Sequence, residues 1–307
     1  MTFDAPIMHT RIEVRLDDDA RAALDAAAVF TVFREIEATA NEWKPGSPLA
    51  AVNAGAGGPP VPAPDDLRAL LRRGLDLGAL THGAFDVTWA ALWGLWDFDH
   101  PALPSADVVA ARLPHIGWAR VELTDAGVRL PDAEMRVGLG GIAKGWALDH
   151  AAEALRARGR QRFLISAGGQ VYAAGDDWTV GIRDPRGDES FANLTVRDGS
   201  VSTSGDYERF FVVGDTRYHH ILDPRTGWPA RGLRSATVVC AEATLADALS
   251  TALMVLGPVE GLALAEDLPG VEAVLVGEDG RVYLTSGAPV VALRRPVGVE
   301  ARAAAPR

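Results

Sequence analysis

The stretch Arg162–Asp184, RFLISAGGQVYAAGDDWTVGIRD, decides the fold. It holds three short runs, RFLIS, GQVYAAG and WTVGIRD, each with aliphatic or aromatic residues spaced as in a strand. The gaps between them are too short for a helical crossover, so neighbouring strands must run antiparallel. The same grammar continues through NLTVRD, SVSTS, ERFFVVG, TRYHHIL and SATVVCA. Upstream, HTRIEVRL alternates like another strand, and ARVELTDAGVRL carries two alternating runs around Asp125-Ala126-Gly127, a hairpin signal.

Helical patterns flank these runs. One extends from Ala20 to about Asn41, with Leu24, Ala28, Phe30, Val32, Phe33 and Ile36 as its apolar stripe. A second opens at Asp65-Asp66, with acids at the positive end of the helix. Shorter ones follow at SADVVAARL and after the glycine cluster near residue 140, the latter ending about Arg158. A helix from Thr244 to about Leu256, another helix and a last strand, VEAVLVG, complete the pattern. Lys44–Pro64, rich in Pro, Gly and Ala, reads as an extended loop. Trp89, Trp93, Trp96 and Phe98 read as a packed aromatic layer. Antiparallel strands with segregated helices make the fold class α+β. No linker divides the chain, so one domain is expected over 1–300, with a frayed tail over 301–307.

Composition narrows the function. In 307 residues, 48% hydrophobic and 23% charged is an ordinary globular balance. A formal net charge of −11 argues against a nucleic-acid partner, which needs a positive footprint. Cys240 is the one cysteine, which excludes an intrachain disulfide and a cysteine-cluster metal site. No run reaches the roughly 18 uninterrupted apolar residues of a membrane span. The start lacks a basic region followed by an apolar one, so the expected compartment is the cytoplasm, or the periplasm if a leader precedes the given sequence.

Several segments carry candidate chemistry. Gly138-Leu139-Gly140-Gly141-Ile142-Ala143-Lys144-Gly145 lies between a strand and a helix, where free N–H groups and the helix dipole favour phosphate, with Lys144 adjacent. It also fits the G-x-G-x-x-A dinucleotide pattern, although a Rossmann unit would need a parallel strand after the helix. In Tyr218-His219-His220-Ile221-Leu222-Asp223-Pro224, the Asp-Pro turn explains itself, but the paired histidines do not. On a strand they point to opposite faces, so one of them can face a site as a general base. Zinc lacks further ligands at suitable spacing. Asp247 and Thr251, four apart on a helix, share a face and suit Mg²⁺ beside phosphates. Thr244 and Asp247 equally read as a capping box, and in isolation the cap is the simpler reading. Val201–Arg209 is an ordinary polar turn or a ligand loop, and Thr81–Thr88 a helix end followed by an acid.

Taken in order, EWKPGSPLAAVN, THGAFDVTWAALWGLW, GLGGIAKGWALD, SAGGQVYAAG, STSGDYERF, YHHILDPRTGWP and LADALSTALMVLG resemble the ApbE family, the FAD:protein FMN transferases. The resemblance runs from about residue 8 to residue 257. It implies a T-fold-related α+β architecture that binds FAD as substrate together with Mg²⁺. The implied reaction cuts the FAD pyrophosphate, releases AMP and attaches FMN through a phosphoester to a Thr or Ser in the flavinylation motif of an acceptor flavoprotein. Some members instead hydrolyse FAD to FMN and AMP.

By the same resemblance His220 is the expected catalytic base. Asp247 and Thr251 are the metal pair, with Gly141 contributing through its backbone carbonyl. Trp43 packs on the flavin ring, and Ala84, Phe85 and Asp86 contact the flavin. Met8 matches an early methionine of the pattern. Gly138 and Lys144 lie in the nucleotide-contacting loop, and Leu222 lines the flavin pocket. The chain also departs from the pattern. Gly138 stands where the family usually has Asp, which removes one polar contact to the nucleotide. His82 replaces a common acid, Asn41-Glu42 replaces a usual Ser, and Ser250 stands where some relatives have another acid. The expected activity is Mg²⁺-dependent FMN transfer; FAD pyrophosphatase and a non-catalytic FAD carrier are the alternatives, and an NAD oxidoreductase is the remotest.

Overall fold

The computed structural model describes residues 1–293; the expected tail, 301–307, lies outside them. The chain begins with β1 (Thr2–Ile7), β2 (Thr10–Leu16), α1 (Ala22–Ala40), α2 (Pro48–Ala54), α3 (Asp65–Leu80) and α4 (Ala106–Arg112). Then come β3 (Glu122–Thr124), β4 (Gly127–Arg129), α5 (Ala143–Ala157), β5 (Phe163–Ala167), β6 (Gln170–Ala174), β7 (Trp178–Arg183), β8 (Ser190–Val196) and β9 (Gly199–Gly205). It continues with β10 (Phe210–Val213), β11 (Thr216–His219), β12 (Leu233–Cys240), α6 (Ala243–Asp267), β13 (Glu272–Gly277), β14 (Val282–Leu284) and β15 (Val290–Leu293). Two compact units emerge. The first comprises Met1–Glu35, Lys144–Tyr207 and the described residues from Arg231 to Leu293; the second comprises Ile36–Ala143 and Glu208–Ala230.

The first unit is built on an eight-stranded sheet of order β1-β2-β5-β6-β9-β12-β13-β14, every adjacent pair antiparallel. The strand that follows α5 is β5, which pairs antiparallel with β2 and β6. There is no parallel β-α-β unit here, so the glycine cluster is not a dinucleotide fingerprint. A second sheet, β15-β8-β7, shares a core of Phe191, Leu194 and Val196 with Val201, Val274 and Val276. The expected last strand is β13, but β14 and β15 follow it; they are three and four residues long, too short to stand out as alternating patterns.

α6 lies against β9, β12 and β13. Its mean hydropathy reaches 1.6, as high as a spanning segment, yet 56% of that window is buried inside the protein, as in a core helix. Gly257, at φ 76°, breaks the helix before Pro258, which separates the two helices expected from the sequence.

α1 differs from its expected stripe. Leu24 is 66% exposed, whereas Ala22, Asp25, Ala26, Val29 and Phe33 are buried. The inner face includes a charge that an apolar pattern cannot register. The Asp25 carboxylate accepts from Arg158 Nε at 2.5 Å and Arg160 Nε at 2.7 Å. Burial opposes its ionisation, but the two guanidinium donors prevail and hold it below the usual aspartate range.

The second unit holds α2, α3, α4 and two separate hairpins, β3–β4 and β10–β11. The expected loop over Lys44–Pro64 contains α2 instead. Ser47 caps it by accepting from Ala50 N at 3.0 Å, and Pro48 occupies its first turn. Ser-Pro is a helix start as well as a loop signal, which is why composition misled. Asn53, at the end of α2, exchanges two hydrogen bonds with the Val137 backbone at 2.8 and 2.7 Å. The aromatic layer forms around Trp96, Phe211, Leu92 and Leu222, with Trp89, Phe98 and Trp228 against it. Trp96 Nε1 donates to Gly227 O at 3.0 Å.

Candidate active site

In the first unit Asp247 is not the cap of its own helix. The residue preceding α6, Glu242, makes no side-chain cap bond, and α6 has no acid in its first turn. Its N–H groups are taken by Asp149 from α5: Ala243 N and Thr244 N each donate at 2.8 Å, and Thr244 Oγ1 at 2.5 Å. The capping-box reading of Thr244 and Asp247 is therefore wrong. Asp247 instead accepts from Gly145 N, in the first turn of α5, at 2.9 Å, and its other oxygen lies 3.8 Å from Lys144 Nζ. A Cβ at Gly145 would come 2.3 Å from Ala243 O, so only glycine permits this approach.

Beside Asp247 runs a file of hydroxyls. Ser204 Oγ lies 2.8 Å from Ser250 Oγ and 3.4 Å from Thr251 Oγ1, and Ser202 Oγ lies 3.2 Å from Ser250 Oγ. Ser250 Oγ donates to Asp247 O at 2.8 Å. Asp247 and Thr251, four apart, share a face of α6, and Ser204 reaches Thr251 from strand β9, which occupies the first half of the polar turn expected over Val201–Arg209. Among the described residues no group of three His, Cys, Asp or Glu side chains could hold a metal. A cation here would rest on one carboxylate, hydroxyl or carbonyl oxygens and retained water. That donor set fits Mg²⁺, which keeps several waters and binds through one or two carboxylates and substrate phosphates.

Also in this unit, Met8 forms the β1–β2 turn with His9, both left-handed at φ 53° and 57°. Two-residue hairpin loops of this kind normally use Asn-Gly. Keeping two ordinary side chains there costs about 1–2 kcal/mol each.

In the second unit β11 ends at His219, so His220 lies beyond the strand and the alternation expected across the pair does not extend to it. His219 is buried; its Nε2 lies 2.9 Å from Ala230 O, and its Nδ1 accepts from Ile221 N at 3.3 Å. Those partners assign the neutral tautomer with the proton on Nε2 and leave no lone pair for a substrate. His220 is half-buried and tied by its backbone, whose N–H donates to Arg209 O at 3.0 Å. Leu222 is buried in the aromatic layer.

Trp43 is 65% exposed, with its ring 4.3 Å from that of Trp93, which meets Trp89 edge-on at 6.4 Å. Trp89 Nε1 donates to Gly138 O at 3.3 Å. A Cβ at Gly138 would lie 3.2 Å from Ala90 Cβ and from Trp89 Nε1, so the indole fills the side-chain position that Gly138 leaves empty. The Glu42 carboxylate reaches the same loop at the Leu139 N–H, and burial pushes it above the usual glutamate range.

Ala84 and Phe85 are buried, and both oxygens of Asp86 are engaged internally. Thr88 N and Oγ1 donate to one at 2.7 and 2.6 Å, and Trp118 N donates to the other at 3.0 Å. Burial pushes the Asp86 carboxyl up despite these donors. Gly141 is partly buried in the turn that leads into α5. Trp93, Glu42 and Asp149 lie within the quoted motif segments, but the sequence assigns them no site role. Only Asp149 carries a hint, as an acid on the helix behind the glycine cluster.

A family model described as "ApbE family" matches residues 8–275. The chain belongs to the ApbE family. It is 38% identical over 295 residues to a Treponema pallidum protein named FAD:protein FMN transferase, covering 88% of this chain and 81% of that one. The ApbE protein of Thermotoga maritima superposes with a TM-score of 0.85 at 32% identity, covering 93% and 97% of the two chains. The apo flavinyl transferase ApbE of Pseudomonas stutzeri superposes with a TM-score of 0.84 at 31% identity, covering 93% and 94%. The ApbE architecture is thus the one expected from the motifs.

Proposed function

We propose that this chain is an Mg²⁺-dependent FAD:protein FMN transferase, acting over residues 1–300 as one catalytic domain. It attaches FMN through a phosphoester to a Thr or Ser hydroxyl of an acceptor flavoprotein, and AMP leaves. The observation that carries the reading is the release of Asp247 from capping its own helix, beside the Thr251 and Ser204 hydroxyls. Membership of a family whose relatives are named for this transfer supports it.

Each residue then has a task. Asp247 and Thr251, with the Gly141 carbonyl, would hold Mg²⁺. Held there, Mg²⁺ would supply positive charge beside the pyrophosphate. Lys144 offers a further positive charge to a phosphate. His220 takes the proton of the acceptor hydroxyl, because the Nδ1 lone pair of His219 is already taken by the Ile221 N–H and its Nε2 faces Ala230 O. The exposed face of Trp43 receives the isoalloxazine ring. Met8, Ala84, Phe85, Leu222 and the Gly138 loop shape the flavin and nucleotide contacts. Asp86 serves these contacts by holding the Ala84–Thr88 turn, since its oxygens are already bonded.

The test is incubation with FAD and Mg²⁺, with and without a flavoprotein acceptor that carries a Thr/Ser target. An acceptor mass gain of one FMN with AMP released is the expected result. Free FMN and AMP without adduct would make it a pyrophosphatase. Bound FAD with neither product would make it a carrier.

A further inference from the structure

The N-termini of α5 and α6 are finished by each other. Neither helix has an acid in its own first turn. Asp149, on α5, accepts from Ala243 N and Thr244 N of α6, and Asp247, on α6, accepts from Gly145 N of α5. Each carboxylate therefore meets the positive end of the other helix. The crossing is tight, because Gly145 lies against Ala243 O, and Gln170 Nε2 holds that same carbonyl at 2.7 Å. Turning α6 about its axis would break the Asp149 cap and the Asp247 cap together.

We propose that Asp149 is a positioning residue for the metal site: by capping α6 from α5 it fixes the direction of Asp247, so that Oδ2 stays on Gly145 and Oδ1 stays available to a cation. This rests on the metal reading above. Asp149 itself touches neither substrate nor ion. It acts through the first turn of α6, one helical turn from Asp247 and two from Thr251.

Three measurements on the full chain test it. The first is the Mg²⁺ midpoint of the thermal shift at saturating FAD. The second is amide hydrogen exchange at Gly145, and the third is AMP release at saturating Mg²⁺. The wild type should show a saturable Mg²⁺ shift; without one, the metal reading itself fails and the positioning role falls with it. In Asp149→Asn one acceptor oxygen becomes a donor facing N–H groups. The Mg²⁺ midpoint should rise about 10- to 100-fold, the range for losing an outer partner of a metal ligand. Gly145 exchange should quicken, and AMP release should recover largely at high Mg²⁺.

A lowered melting temperature with unchanged Mg²⁺ midpoint and unchanged Gly145 exchange would make Asp149 a simple helix cap and overturn the proposal. If Asp149→Asn does not fold, Thr244→Val decides. It removes one hydrogen bond to Asp149 and should move the midpoint in the same direction by less; no movement would overturn the proposal.

Discussion

The α5–α6 junction of the first unit and the indole–histidine region of the second solve opposite problems. At the junction Asp247 is buried and Asp149 half-buried, and each carboxylate accepts from backbone N–H groups of the other helix. In the second unit the candidate ring-binding group, Trp43, stands exposed, and His220 is anchored through its backbone. Oxygen ligands need fixed directions, because an octahedral cation tolerates little misplacement. A stacking ring needs an open face, and buries its area only when the ligand arrives. Damage to the first region should therefore appear in the metal response, and damage to the second in ring affinity or proton transfer.

The sharpest break of that contrast lies within the second unit. His220→Ala should lower FMN transfer by about 10²- to 10⁴-fold, the range for a general base, with FAD affinity retained. His219→Ala should instead lower the melting temperature, because it strands the Ala230 carbonyl and the Ile221 N–H. Equal loss of transfer in both variants at equal stability would remove the distinction between them.

Asp247→Ala comes next. It should abolish the Mg²⁺-dependent thermal shift and cost about 1 kcal/mol as a lost cap, read by denaturant unfolding. An unchanged Mg²⁺ titration would reduce Asp247 to the cap of α5.

Trp43→Ala should weaken flavin affinity by about 0.5–1.5 kcal/mol, the worth of an aromatic pair beyond its buried area. Its melting temperature should hardly move, since the ring is mostly exposed. Flavin fluorescence titration checks the first statement and calorimetry the second.

The smallest effect is a pH dependence. Burial raises the Asp86 carboxyl above its unfolded value. Its contribution to stability is then full below the unfolded pKa of about 3.9 and declines as pH rises through the raised one. The melting-temperature gap between wild type and Asp86→Asn should narrow over that rise. A gap that widens would mean that the Thr88 and Trp118 donors outweigh burial.

The strands were legible because alternation and short gaps are local properties, and the all-antiparallel sheet follows from them. That Asp247 does not cap its own helix was not, because the group that does, Asp149, is 94 residues from Ala243. α2 hid in a Pro-rich segment whose Ser-Pro pair starts a helix. The true inner face of α1 was hidden by Asp25, whose partners Arg158 and Arg160 lie more than a hundred residues away. The motif resemblance singled out Trp43, and the structure adds how much of its ring faces solvent.

The exchanged caps have a kinetic consequence. Gly145 and Asp247 are 102 residues apart, so neither helix can complete its first turn from neighbouring sequence. Closing so long a loop costs chain entropy before any hydrogen bond rewards it. The direction of Asp247 is thereby fixed only once α5 and α6 meet, not by its own helix alone.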